Sequence, residues 1–89
     1  MSYHVEFAPE LYAEVKALPG HIRAQARQQF RSLAKDPRPP ASKELRGKPG
    51  FYRLWLAGRW RIVYTVDDDT RTVRIIRVRR KEQIDYEGL

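Results

Sequence analysis

The strongest constraint on this chain is the stretch from Tyr52 to Tyr64, YRLWLAGRWRIVY. Apolar residues recur there at every second position, the period of a strand whose successive side chains face opposite sides of a sheet. Tyr52, Leu54 and Leu56 share one side, with Arg53 and Trp55 on the other. Ala57-Gly58 breaks the pattern as a tight turn. Beyond it Trp60, Ile62, Tyr64 and Val66 point one way, and Arg59, Arg61, Val63 and Thr65 the other. The apolar side of such a hairpin needs a cover. The opposite side becomes a surface of arginines with a tryptophan among them.

The cover is found upstream, where the period lengthens. Tyr3 to Phe7 alternates as a short first strand, and Pro9 suits the first turn of a helix, where a missing N–H is no loss. Leu11, Tyr12, Val15 and Leu18 lie on one helical stripe that Pro19-Gly20 ends. A second helix, from about His21 to Lys35, buries Ile22, Ala26, Phe30 and Leu33 and carries Arg23, Arg27 and Arg31 as a parallel basic stripe. That stripe is either a solvated face or a contact for RNA or a protein partner. Two helices with so short a break should pack as an antiparallel hairpin. Asp36-Pro37-Arg38-Pro39-Pro40 is an ordered connector, Asp67-Asp68-Asp69 a turn, and Thr72 to Arg79 a third meander strand blurred by Ile75 and Ile76. The fold class is therefore α+β in the order β-α-α-β-β-β: two N-terminal helices packed on one face of a small antiparallel sheet of three or four strands. Eighty-nine residues make one domain, spanning 1–89.

Charge decides what the uncovered face is for. The formal net charge is +7 with 18 Lys and Arg against 11 Asp and Glu. Residues 51–81 carry most of it: Arg53, Arg59, Arg61, Arg71, Arg74, Arg77, Arg79, Arg80 and Lys81 stand against only Asp67, Asp68 and Asp69. Arginine dominates, and its planar fork bonds two phosphate oxygens at once. The expected partner is a nucleic acid, an acidic protein, or both. There is no cysteine, which fits a reducing cytoplasm, and no signal-peptide pattern or bilayer-length apolar run, so a cytoplasmic location without membrane contact is expected. No phosphate-binding glycine loop, HExxH or GxSxG occurs, and the three consecutive aspartates make a poor metal cage, so no metal and no cofactor are expected.

The only histidines, His4 and His21, fall on the first strand and at a helix start, which gives a histidine acid–base pair no support in the basic segment. Arginines can stabilise charge that grows on a phosphorane. A tyrosine among cations, or a carboxylate, can take the proton of a 2′-hydroxyl. Tyr86, Glu82 and Asp85 are the available groups near the end of the chain. Residue spacing reaches a basic sheet face that binds RNA and stops short of catalysis.

The ordered set Lys43-Glu44-Leu45-Arg46-Gly47, Tyr52-Arg53-Leu54, Gly58, Arg61-Ile62-Val63-Tyr64 and the acidic turn resembles the RelE/ParE superfamily of toxins from type II toxin–antitoxin modules, over essentially the whole chain. For RelE-like members the resemblance implies a small metal-independent endoribonuclease that enters the ribosomal A site, cuts mRNA and is held by a cognate antitoxin. By position, Arg53 and Arg61 would hold the adjacent and scissile phosphates, Lys81 would act as acid or charge stabiliser, and Tyr86 would stack on the nucleotide or deprotonate it; Arg79 or Arg80 are alternatives for the place of Lys81. Arg59, Trp55, Arg77, Arg79 and Arg80 would complete the RNA-binding surface. Trp55 departs from the pattern by standing where ribosome-dependent members carry a second cation, with Arg59 a possible replacement by parity. The alternative is the ParE branch, whose members inhibit DNA gyrase without nuclease chemistry; Tyr86 favours the RelE branch.

Overall fold

Alternation dictates the hairpin, and the hairpin organises the rest. A computed structural model describes residues 2–89. Its elements run β1 (His4–Phe7), α1 (Leu11–Lys16), α2 (Gly20–Lys35), β2 (Ser42–Glu44), β3 (Phe51–Leu56), β4 (Trp60–Asp67) and β5 (Thr72–Arg80), followed by a single 3-10 turn at Lys81–Gln83. One five-stranded sheet has the order β1-β5-β4-β3-β2. The β3–β4 hairpin closes through Ala57 and Gly58, both at positive φ (49° and 76°). Left-handed backbone at two successive residues matches the twist of a tight hairpin.

The core lies between this sheet and α1 and α2. Leu54, Leu56, Ile62, Tyr64, Val66, Val73, Ile75 and Val78 from the strands meet Leu11, Leu18, Ile22, Ala26, Phe30 and Leu33 from the helices. All four expected inward residues of α2 are buried. Tyr64 is fully buried, stacks on Tyr52 at 5.7 Å, and donates its hydroxyl hydrogen to the Pro37 carbonyl at 2.8 Å. Burial pushes that phenol up to about 12. Both tyrosines are framework, and the helix-over-sheet arrangement expected from the sequence is the one that forms.

Two features of the sheet go beyond alternation. First, β1 pairs parallel to β5 rather than antiparallel to a neighbour, with His4 opposite Thr72 and Phe7 opposite Ile75. Local pattern fixes only that the first segment is extended; the long helical connection lets it reach the far edge in either direction. Second, Ser42–Glu44, which takes in the Lys43-Glu44 start of the motif, forms the opposite edge strand against β3. The blurred Ile75-Ile76 pair has its cause in a register shift against Val63 and Tyr64, where Val63 faces Arg77 and Tyr64 faces Ile75. The extra residue lets Ile75 and Val78 both face the helices.

Arg23 does not belong to a free basic stripe. Its Nε donates to the Val15 carbonyl at 3.2 Å and its Nη2 to Lys16 and Leu18 at 3.0 Å each. It therefore caps the carbonyl end of the six-residue α1, where cations are favoured and orphan acceptors need donors. Arg27 and Arg31 remain exposed. Arg23→Ala is expected to lower stability by about 1 to 2 kcal/mol, read as a shift in urea midpoint, while Arg27→Ala stays within about 0.5 kcal/mol.

The acidic turn is likewise structural. Asp67 accepts from the backbone N–H groups of Asp69 and Thr70, and Asp68 receives a bidentate pair from Arg38 at 3.1 and 2.9 Å. The Tyr3 hydroxyl adds a third hydrogen bond to Asp68 at 2.6 Å. The Arg38 guanidinium, then Tyr3, hold the Asp68 carboxyl below the usual carboxylate range. A carboxylate of lowered folded pKa contributes stability above its ordinary value near ~4 and loses it as pH falls through the folded one. The melting-temperature gap between the parent protein and Asp68→Asn is therefore expected to be constant at neutral pH and to close below pH ~4. A gap that persists at low pH would refute the ionic origin.

Candidate functional site

With helices on one side, the other side of the sheet is the candidate surface, and strand register arranges it in rows. Nearest the hairpin turn, Trp55 lies opposite Arg61 and Arg61 opposite Arg79. The next row is Lys43, Arg53, Val63 and Arg77. The third is Phe51, Thr65, Arg74 and Glu6. Strands stand about 4.8 Å apart and rows about 6.7 Å apart, so the cations of the middle row span a distance comparable to a few phosphates.

Arg61 is the unusual member. It is only 2% exposed, the one charged residue that is buried among the described residues. Its Nη1 donates to the carbonyls of Gly58 (3.0 Å) and Trp60 (2.8 Å), which anchors it to the hairpin turn. The Trp55 ring covers it, with the guanidinium carbon 3.9 Å from the ring centroid. Such a cation–π contact is worth about 2 kcal/mol when desolvated. Its Nε is buried and has no hydrogen-bond partner among the described residues. A buried cationic donor left unpaired is costly, and the two carbonyl contacts and the ring offset that cost. The expectation that Arg61 stands open beside Trp55 is thus corrected. Parity placed both on the same face, and packing put one beneath the other.

The remaining expected residues separate into two groups. Arg53 and Arg77 lie in the middle row on either side of the fully buried Val63, and among the described residues neither forms an ion pair. Lys43, which sequence reading left out, joins them because β2 pairs it with Arg53; a basic residue in a short segment beside the hairpin was the only signal. Three others are turned aside. Arg79 donates to Glu14 of α1 at 2.7 Å, and that carboxylate also takes the Val78 N–H at 2.8 Å, closing the sheet edge where β1 has ended. Arg80 pairs with Trp60 and sits 5.6 Å over its ring, on the helix side. Arg59 is exposed in the hairpin turn rather than in the strand, so parity does not make it a replacement for a cation at Trp55.

The end of the chain crosses the open face. Lys81 is exposed, and its N–H bonds the Arg59 carbonyl at 2.9 Å, beside the hairpin turn. At the other end Lys48, 5.6 Å over the Phe51 ring, reaches the Leu89 carbonyl at 3.5 Å. The segment between these anchors carries Ile84 and Tyr86, both half-buried, across the rows. The Asp85 carboxylate accepts the Glu87 N–H in a local turn, and Glu82 is exposed in the 3-10 turn. Among the described residues there is no cluster of His, Cys, Asp or Glu suited to a metal ion and no helix long and apolar enough to cross a membrane.

The site is thus a helix-covered meander that buries one arginine of its second strand and leaves a basic open face. Residues 5–85 match the ParE toxin of type II toxin–antitoxin systems (parDE), and the chain belongs to that family, within the RelE/ParE superfamily. It is similar to the mRNA interferase toxin RelE of Escherichia coli strain K12, with 31% identity over 84 residues, covering 93% of this chain and 87% of that protein. Among solved structures it resembles the intact E. coli RelBE toxin–antitoxin complex (TM-score 0.79, 30% identity, 92% of this chain and 100% of that one). The RelBE2 toxin–antitoxin complex of Mycobacterium tuberculosis is comparable (TM-score 0.78, 28% identity, 91% and 100%). The relatives are of the RelE kind, the branch the sequence favoured.

Proposed function

We propose that this chain is the toxin of a toxin–antitoxin module and an endoribonuclease that cuts mRNA on the ribosome, in the cytoplasm, without a catalytic metal. The observation that carries the reading is the coincidence of two things: 31% identity to an mRNA interferase over nearly the whole chain, and a buried Arg61 one row from Lys43, Arg53 and Arg77, none of which forms an ion pair among the described residues. In the reaction the 2′-oxygen attacks the adjacent phosphorus, the bond to the 5′-oxygen breaks, and a 2′,3′-cyclic phosphate and a 5′-hydroxyl remain. Tyr86 takes or orients the 2′-hydroxyl proton, and Lys81 returns one to the leaving oxygen. Arg61 stabilises the equatorial oxygens as charge grows, and Arg53 with Arg77 holds flanking phosphates. The folded relatives that carry an antitoxin support a cognate antitoxin here, and a +7 chain favours an acidic one.

Brief induction followed by mapping of RNA ends tests this. New mRNA 5′-hydroxyl ends and cyclic phosphates, in register with codons, are expected. Stalled gyrase–DNA complexes without new RNA ends would replace this reading with gyrase inhibition.

A further inference from the structure

We propose that Trp55 is a specificity-determining platform: the exposed outer face of its indole takes one unpaired base of a single-stranded RNA and favours a purine there. The inference rests on the RNA-cleavage reading only for the class of ligand. Trp55 is 51% exposed, unusual for a residue of its size, and lies on the one sheet face the helices leave uncovered. Its inner face is already occupied by the Arg61 guanidinium at 3.9 Å. Because Arg61 is itself tied to two carbonyls of the hairpin turn, the ring rests on a fixed floor, and its orientation is set before any ligand arrives. Only the outer face is left to bind.

What surrounds the ring selects the ligand. Arg53, two residues back on the same strand face, stands about 6.7 Å away along the strand, within reach of the phosphate attached to a base stacked on Trp55. Lys43 and Arg77 extend the cationic row to either side. A flat aromatic with a cation on its inner face and phosphate-binding groups alongside suits a nucleotide whose base is free of a partner. The larger π-surface of a purine covers more of the indole than a pyrimidine does. A cation at this position would hold phosphate without reading a base; tryptophan gives up that charge and gains a contact that distinguishes bases.

The test uses the full-length protein and labelled 2′-O-methyl oligoadenylate and oligouridylate, which cannot be cleaved, with binding read by fluorescence anisotropy. Oligoadenylate is expected to bind several-fold tighter. Trp55→Leu should weaken it by about five- to a hundredfold and shrink the difference between the two oligomers to less than twofold, with the salt slope unchanged because no phosphate contact is lost. Trp55→Tyr should keep a preference, and Tyr12→Leu, at the exposed aromatic on α1, should change nothing. Arg53→Gln should instead reduce the salt slope by about 0.7 for both oligomers. Thermal melting confirms that each variant is folded. An unaltered preference in Trp55→Leu, or no oligomer binding by the parent protein, overturns the platform. Trp55-dependent purine preference in a protein that cuts no mRNA leaves the platform standing and removes the nuclease reading; cutting with a preference indifferent to Trp55 does the reverse.

Discussion

Arg61→Ala is expected to lower the single-turnover rate of mRNA cleavage on programmed ribosomes by on the order of 10²-fold or more, with a smaller effect on binding. A cation fixed where charge develops costs no reorganisation at the moment of reaction, and Arg61 is fixed by the Gly58 and Trp60 carbonyls and by the Trp55 ring. The same anchoring means the substitution also strips two carbonyls of a donor and leaves Trp55 without its floor, at a cost of about 1 to 3 kcal/mol in stability. Rates must therefore be compared where circular dichroism shows the variant folded. Arg61→Lys separates the contributions: it retains a charge but not the planar fork, so its rate should fall between the two. Cleavage by folded Arg61→Ala within about threefold of the parent would remove Arg61 from the chemistry.

The second large effect is on stability. Leu33→Ala should destabilise the fold by about 2 to 5 kcal/mol, because a fully buried leucine leaves both lost transfer energy and a cavity. Leu33 lies in the last turns of α2 and belongs to the cluster joining that helix to β3, β4 and β5. For a domain of this size the melting temperature should fall by roughly 10 °C or more. The urea midpoint should drop with little change in slope. Lys43→Ala, exposed at the sheet edge, should stay within about 0.5 kcal/mol. Equal effects from the two substitutions would mean α2 is not packed on the sheet.

Much of the fold is legible in the sequence. The alternation of Tyr52, Leu54, Leu56, Ile62, Tyr64 and Val66 assigns each residue a side, and every one of them faces the helices. The spacing of Ile22, Ala26, Phe30 and Leu33 does the same for α2. These patterns can be read because strand and helix periods are local and burial of a whole stripe leaves few alternatives. The candidate face was legible for the same reason: once one side of the hairpin is buried, Arg53, Trp55 and Arg61 must lie on the other.

What the tertiary structure alone decided is the fate of individual cations and the edges of the sheet. A long arginine side chain reaches whichever acceptor folding brings within a few ångströms, and that acceptor is usually distant in sequence. Arg79 is claimed by Glu14, Arg38 by Asp68, and Arg61 by the turn carbonyls and the Trp55 ring, while Arg53 and Arg77 form no ion pair among the described residues. Strand direction is equally non-local: a four-residue β1 can lie either way, and its parallel pairing with β5 depends on where two helices deliver it. Composition and period set which face is basic; packing selected which of its charges are fixed in place and which stand without a carboxylate partner.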